Sequence, residues 1–150
     1  MGYVRSLRSY VGHRPLILVG ATVLVINPQG ELLMIRRTDT GDWGVPGGTM
    51  EIGETIEETA RRELCEETNL EAGKLELFGV FSGPQFFIRY PNGDEIFAVP
   101  VAYMVQHASG VLKLTDGEHC DFGFFPLSGL PEDVDPSIRP ILSKLAAARL

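Results

Sequence analysis

Residues 48–70 read GTMEIGETIEETARRELCEETNL, and no other stretch of the chain is as informative about fold and chemistry. The stretch contains seven glutamates, and its second half has the pattern of a helix. Like charges three or four residues apart on a helix repel each other by about 0.2–0.5 kcal/mol per pair. A fold that tolerates this crowding needs a compensating cation or gains function from the arrangement, and clustered carboxylate oxygens suit Mg²⁺ or Mn²⁺.

The helix in this stretch has a sequence signal at each end. Thr55 followed by Glu58 is a capping box, which predicts that the helix begins there. The helical pattern runs to about Thr68. Asn69 then occupies the position at which a residue with positive φ ends many helices.

Three acids of this helix share one side. At about 100° per residue, Glu63, Glu66 and Glu67 fall within an arc of about 100° and can converge on one point. Apolar residues on an adjoining arc anchor the helix to a sheet, so the acids lie at the edge of the buried face, where repulsion is stronger. These apolar residues are Ile56, Ala60 and Leu64.

The remaining polar residues divide into supporting and solvated groups. Arg62 lies near the converging acids and is expected to hold Glu54 or another carboxylate. The double glycine at 47–48 permits a close approach of the backbone to a ligand. Glu57 and Glu58 fit a solvated helix face. A solvated face that binds no metal is also the alternative interpretation of Glu63, Glu66 and Glu67.

The spacing of these residues resembles the Nudix box, G-x5-E-x7-R-E-U-x-E-E-x-G-U, in which U is a bulky aliphatic residue. Asn69 replaces the last glycine of that pattern, and Asn tolerates the same left-handed conformation. Every acidic position is intact. The matching residues are Gly48, Glu54, Arg62, Glu63, Leu64, Glu66, Glu67 and Leu70.

The resemblance implies a fold and a reaction. The fold would be α+β, a Nudix-type α/β/α sandwich around a mixed, largely antiparallel sheet. The reaction would be metal-dependent hydrolysis of the pyrophosphate linkage in a nucleoside diphosphate joined to a group X. Candidate substrates are ADP-ribose or another nucleotide sugar, a dinucleoside polyphosphate and a nucleoside triphosphate.

The resemblance also assigns roles within the box. Bound Mg²⁺ or Mn²⁺ would neutralise the pyrophosphate and lower the pKa of an attacking water. Glu54 and Arg62 would support and orient the metal ligands. Those ligands would be Glu63, Glu66, Glu67 and the carbonyl of Gly48.

The general base has two candidate sources. A box glutamate, Glu66 or Glu67, can accept the proton. In several relatives a glutamate from a later loop does so, and Glu118 is that candidate here, with an ordinary loop carboxylate as the alternative. His119 beside it is expected to be a surface residue.

Substrate contacts are expected from outside the box. The side chains of Arg36 and Arg37 alternate across the strand that precedes the box loop, so one of them is expected to meet a phosphate. The segment 85–90 offers aromatic rings on which a base can stack, Phe86 among them, with packing in the core or at a hydrophobic edge as the alternative. Arg89 and Glu95 flank a predicted hairpin and are candidates for ribose or phosphate contacts.

Composition narrows the partners. The 150 residues predict a single domain, and the net charge of −7 argues against long nucleic acid, which requires a basic surface. Small phosphorylated ligands remain compatible with an acidic protein, because a bound metal reverses the sign of the local charge. No apolar run reaches the length of a membrane span, so we expect a cytoplasmic protein without a membrane partner.

Turn signals divide the rest of the chain. Residues 1–14 are expected to form a short helix or arm, through which the chain would form a homodimer. Strands at 15–26 and 31–37 are expected to pair as a hairpin, as are 85–90 and 95–106 around an Asn-Gly pair. Further elements are expected as strands at 74–83, 111–114 and 121–126 and as a terminal helix at 137–148.

Two other classes of function remain open. A non-catalytic nucleotide-sensing module on the same fold would bind a nucleotide tightly without turnover. An acidic interaction protein would bind neither Mg²⁺ nor Mn²⁺. The intact set of box acids favours the enzyme over both.

Overall fold

A computed structural model describes residues 2–149, which form three helices and ten strands. The helices are α1 (Tyr3–Val11), α2 (Ile56–Thr68) and α3 (Arg139–Ala148). The strands are β1 (Leu16–Val25), β2 (Leu32–Arg37), β3 (Trp43–Gly44), β4 (Gly47–Thr49), β5 (Glu71–Ala72), β6 (Glu76–Val80), β7 (Phe87–Arg89), β8 (Glu95–Val105), β9 (Ala108–Ser109) and β10 (His119–Phe125).

The strands form a mixed sheet with two smaller sheets beside it. The main sheet has the order β4-β1-β8-β6, and β7 pairs with one end of β8. Only β1 and β8 run parallel, in register from Leu16↔Ile96 to Val25↔Val105, while the other pairs are antiparallel. The smaller sheets have the orders β10-β2-β3 and β5-β9. The predicted α+β class with a largely antiparallel mixed sheet is confirmed.

Both faces of β1 are covered over residues 21–25, which explains why this half of the strand is almost entirely apolar. Alternate side chains of a strand point to opposite faces. Leu24 belongs to a buried cluster with Ile141 and Leu145 of α3. Val23 belongs to a second cluster with Leu64 of α2. The main sheet therefore lies between two helical layers.

The predicted hairpin of 15–26 with 31–37 is wrong. The turn between them forms, because Gly30 N donates to the Asn27 carbonyl at 2.9 Å. The strands nevertheless enter different sheets and share only the isolated bridge Ile26↔Leu32. β1 takes β4 and β8 as partners, and β2 takes β3 and β10, so each strand is already paired on both edges.

The second hairpin is confirmed, whereas the strand at 111–114 is wrong. β7 pairs antiparallel with β8, and Tyr90 N donates to the Asp94 carbonyl at 2.8 Å across the turn. Residues 111–114 contact the end of α2 instead of a strand. The Asn69 side chain donates to the Val111 carbonyl at 3.0 Å, and Lys113 N donates to the Thr68 carbonyl at 2.9 Å.

Helices occur at both ends of the described chain, as expected. α1 ends at Val11, and the capping residue Gly12 has a φ of 66°. α3 begins at Arg139, after a turn of 3₁₀ helix at Pro136–Ile138. Within residues 2–149, no helix is both long enough and apolar enough to cross a bilayer.

Candidate active site

The start of α2 is fixed by the capping box that the sequence predicts. Thr55 Oγ1 accepts from Glu58 N at 3.1 Å, and Glu58 Oε1 accepts from Thr55 N at 2.9 Å. At the other end Asn69 adopts φ 65°, the left-handed conformation expected of it. These two ends set the rotation of the helix, and the buried Leu64 and Ala60 hold its apolar side on the sheet.

Two of the box acids pack directly on the double glycine of β4. Glu67 is buried, and its Oε1 accepts from Gly47 N at 2.8 Å. The Glu63 carboxylate occupies the space beside Gly48, where an added Cβ would lie 2.5 Å from Glu63 Oε1. Glycine at position 48 therefore lets the carboxylate of Glu63 approach the backbone.

Arg62 contacts five acceptor oxygens, which belong to four surrounding residues. Its Nε donates to Glu54 Oε2 at 2.6 Å, and its Nη2 donates to Glu54 Oε1 at 3.0 Å. Its Nη1 lies 2.8 Å from Glu63 Oε1 and 3.3 Å from Glu66 Oε2. Nη2 also donates to the Thr49 carbonyl at 3.1 Å. The guanidinium thus holds Glu54 against the acids of the helix.

The carboxylates of the cluster titrate differently because their surroundings differ. Hydrogen bonds from Arg62 lower the pKa of Glu54 to about 2. Burial raises the pKa of Glu67 to about 8, and the charges of Glu63 and Glu118 add to this effect. Burial also raises the pKa of Glu63, although Arg62 opposes the shift. Among the described residues, Arg62 alone pairs with Glu54, Glu63 and Glu66, so the cluster has more carboxyl groups than cations.

This donor set fits a hard divalent cation. Glu63 and Glu67 present desolvated carboxylate oxygens, and the more exposed Glu66 lies on the same side of α2. Oxygen donors of this kind are preferred by Mg²⁺ and Mn²⁺. The carbonyl oxygen of Gly48 faces Gly20 of β1, where an added Cβ would lie 2.7 Å from it. Its role as a ligand stays a prediction.

A later loop also reaches the box, through residues that sequence reasoning did not select. Asp116 Oδ2 lies 2.8 Å from His119 Nδ1, and Asp116 Oδ1 accepts from Glu118 N at 3.0 Å. Glu67, Asp116 and His119 each offer a metal-ligating atom, and these atoms lie within 4.8 Å of one another. The sequence signals the contact between Asp116 and His119 only through their spacing of three residues in the run Asp-Gly-Glu-His.

The expectation that His119 is a surface residue is wrong. Its side chain is only 7% exposed and lies against Asp116. Glu118 is exposed, and its charge raises the pKa of both Glu63 and Glu67. The structure thus brings the predicted base candidate near the box acids.

A cleft of about 210 Å³ opens beside the double glycine. Its lining has no charged side chain and includes Phe86 and Tyr90, two aromatic residues of the segment 85–90. The hairpin β7–β8 forms one wall and the start of α3 another. The residues that line the cleft include Leu18, Gly47, Gly48, Phe86, Tyr90 and Ala98.

The predicted substrate-binding residues take different positions around this cleft. Phe86 lines it and is also part of the core. Arg36 Nε donates to the Gly41 carbonyl at 2.9 Å, and Arg37 binds Asp39 with two nitrogens at 2.9 and 2.8 Å. Arg89 and Glu95 form a cross-strand pair and do not contribute to the lining.

Comparison with known proteins agrees with this geometry. A sequence profile of the NUDIX domain matches residues 17–145. The ADP-ribose pyrophosphatase of Methanocaldococcus jannaschii is 33% identical over 111 residues, which are 72% of this chain and 62% of that protein. The MutT-like protein of Streptomyces ambofaciens is 43% identical over 67 residues, which are 45% of this chain and 44% of that one.

A solved structure shows the same arrangement of elements. The crystal structure of the MutT NUDIX hydrolase from Burkholderia pseudomallei superimposes with a TM-score of 0.73 at 26% identity, over 87% of this chain and 98% of that one. This chain spans about half the length of the curated relatives it matches. From the profile match and the shared fold, the chain belongs to the Nudix family.

Proposed function

We propose that this chain is a metal-dependent hydrolase that cleaves the pyrophosphate linkage of a nucleoside diphosphate-X compound. The observation that supports this most is the convergence of Glu63 and Glu67 on the double glycine at the end of the cleft. Pyrophosphate is anionic, and without a cation it would be repelled by these acids. A site with excess carboxylate charge beside a neutral cleft is therefore suited to a metal-bound nucleotide.

Glu63, Glu66 and Glu67 would hold Mg²⁺ or Mn²⁺, with the Gly48 carbonyl as the predicted fourth donor. When bound, the ion supplies charge neutralisation and lowers the pKa of a bound water. Arg62 keeps Glu63 and Glu66 in place through its Nη1. Its pairing with Glu54 fixes the guanidinium plane, so the acids keep one arrangement before substrate arrives.

We assign the general base to Glu118 in preference to Glu66 or Glu67. Among the hydrogen bonds of residues 2–149, none engages the Glu118 carboxylate, whereas Glu67 is bound to Gly47 N and Glu66 pairs with Arg62. An exposed, unengaged carboxylate can accept a proton from water and release it to solvent. Asp116 holds the loop through Glu118 N.

The cleft is proposed to take the neutral part of the substrate. Its uncharged lining favours a base or sugar over a second phosphate. Phe86 and Tyr90 supply aromatic surface at this position. The relative from M. jannaschii is named an ADP-ribose pyrophosphatase, so ADP-ribose is the first substrate to test. Other nucleotide sugars, dinucleoside polyphosphates and nucleoside triphosphates follow.

A hydrolysis screen over these four substrate groups tests the proposal. Each substrate is incubated with purified protein in Mg²⁺ or Mn²⁺, and products are resolved by chromatography. The proposal expects one group to be cleaved at the phosphoanhydride, with EDTA stopping the reaction. Tight nucleotide binding without turnover in any metal would favour the sensing module instead.

Location and assembly are proposed along with the reaction. We expect a cytoplasmic protein that acts on small nucleotides, and the net charge of −7 supports the exclusion of long nucleic acid. The exposed Tyr10 on α1 motivates the proposed homodimer. Sedimentation at micromolar concentration tests this assembly, and a monomer throughout would contradict it.

A further inference from the structure

The N-terminal helix lies outside the region matched by the family profile, yet it contacts the box loop directly. Tyr3 N, the first donor of α1, donates to Glu51 Oε1 at 2.9 Å. Gly2 packs on the same carboxylate, since an added Cβ there would lie 3.3 Å from Glu51 Oε1. A carboxylate at this position satisfies a free helical N–H and interacts favourably with the helix dipole.

From Glu51 the contacts continue to the cluster of box acids. Glu51 N donates to Glu54 Oε1 at 2.9 Å. The same oxygen accepts from Thr59 Oγ1 at 2.9 Å and from Arg62 Nη2 at 3.0 Å. An unbroken series of hydrogen bonds therefore runs from the backbone of Tyr3 to the guanidinium of Arg62.

The other end of α1 is attached to the hairpin that walls the cleft. Arg8 Nη2 donates to the Glu95 carbonyl at 2.7 Å, and Arg8 Nε lies 3.7 Å from Asp94 Oδ2. His13 Nδ1 lies 2.6 Å from Asp94 Oδ1. Asp94 belongs to the turn between β7 and β8, whose residue Tyr90 lines the cleft. One helix thus contacts both the box loop and the cleft wall.

We propose that Glu51 is a positioning residue, through which α1 fixes Glu54 and Arg62 and thereby the box acids. This inference rests on the proposed metal-dependent reaction. Glu51 occupies a free position of the box pattern, so no role is assigned to it by the resemblance. Its backbone N–H holds Glu54 while its side chain is held by α1, so movement of the loop would break both contacts.

Replacing Tyr3 by proline tests the coupling with little other disturbance. Tyr3 is the first residue of α1, where proline is tolerated, and Gly2 before it is already extended at φ −72° and ψ 162°. Tyr3→Pro removes the N–H that binds Glu51. Tyr3→Ala is the matched control, because it removes the same side chain and keeps the N–H.

We expect Tyr3→Pro to lower kcat about 10-fold relative to Tyr3→Ala, as is typical when support of a metal ligand is lost. KM is expected to change little, because the cleft is intact. Glu51→Ala should lose activity, because it removes the acceptor for Tyr3 N. Glu51→Gln keeps an acceptor oxygen and should retain activity. The readout independent of turnover is NMR of the metal-free protein, in which Tyr3→Pro should speed amide exchange at Glu51 and shift the Arg62 Nε–H resonance.

Equal kcat values for Tyr3→Pro and Tyr3→Ala, with unchanged exchange at Glu51, would overturn the inference. Full activity of Glu51→Ala would do the same. Failure of the proposed function has a different signature, because the wild-type protein would then hydrolyse no substrate or would need no metal. The NMR measurement on metal-free protein decides the coupling in that case too.

Discussion

Arg62 and Glu54 form a two-point ion pair, Nε to Oε2 at 2.6 Å and Nη2 to Oε1 at 3.0 Å, across the loop that precedes α2. The fork geometry leaves Nη1 free to contact Glu63 at 2.8 Å. A lysine at position 62 would keep the charge but could not make these three contacts together. The pair therefore fixes where the acids of α2 lie before any substrate binds.

Arg62→Lys should lower kcat about 10- to 100-fold and weaken Mn²⁺ binding, because the ligands lose their orienting partner. Steady-state kinetics and calorimetry with Mn²⁺ measure the two effects. Arg61→Lys is the matched control, since Arg61 faces away and donates to the carbonyls of Ala72 and Gly73. Equal activity of the two variants would contradict the role given to Arg62.

The same pair predicts a dependence of stability on acid. The pKa of Glu54 is about 2 in the folded chain, below its ordinary value of 4.5. A carboxyl group whose pKa is lower in the folded than in the unfolded chain stabilises the fold at pH values above its unfolded pKa. This stabilisation is lost as the pH falls from 4.5 toward 2. When unfolding by denaturant is measured over this pH range, the free energy of unfolding should decline less steeply with falling pH in Glu54→Gln than in the wild type. Parallel profiles for the variant and the wild type would argue against the pairing.

Gly48→Ala should abolish most activity, because the added Cβ would lie 2.5 Å from Glu63 Oε1 and force that carboxylate away. Gly44→Ala is the control, since no atom lies within 4 Å of a Cβ added there. Turnover and Mn²⁺ affinity should fall together in Gly48→Ala and stay unchanged in Gly44→Ala. Normal Mn²⁺ affinity of Gly48→Ala would mean that Glu63 is not a ligand.

Ala98→Leu should fill the cleft without touching the metal ligands. Ala98 lines the cleft opposite Leu18, whereas Val99 points to the other face of the sheet. We expect KM to rise about 10-fold or more in Ala98→Leu, since substrate would meet the added methylenes. Val99→Leu should leave KM unchanged, and Mn²⁺ affinity should be normal in both. An unchanged KM in Ala98→Leu would exclude the cleft as the substrate site.

Local signals allowed α2 to be predicted almost completely. The capping box at Thr55 and the left-handed Asn69 depend on neighbouring residues only, so the sequence contains the whole cause. The pairing of β1 depends on β8, whose residues pair with it across most of the chain, as in Leu16↔Ile96. The sequence therefore predicted both strands near Asn27 but paired them wrongly.

Contacts across loops were the least predictable part of the site. Asp116 and His119 approach Glu67 from a loop that Thr38 N holds by donating to the Glu118 carbonyl at 2.9 Å. Glu51 had no assigned role in the sequence, because its partner Tyr3 comes from a helix outside the box pattern. Both contacts depend on the tertiary path of the backbone, which local propensity does not determine.

Whether the box glutamates hold a metal that hydrolysis requires is tested by the rate of phosphoanhydride cleavage by the wild type and by Glu67→Gln at saturating Mn²⁺. Glutamine keeps the size of the side chain and an acceptor for Gly47 N, but it cannot lose a proton to supply a carboxylate ligand to the metal. We predict that the wild type turns over its substrate, that EDTA stops the reaction, and that Glu67→Gln is slower by more than about 100-fold. A Glu67→Gln enzyme as fast as the wild type, or a wild type unaffected by EDTA, would contradict this prediction.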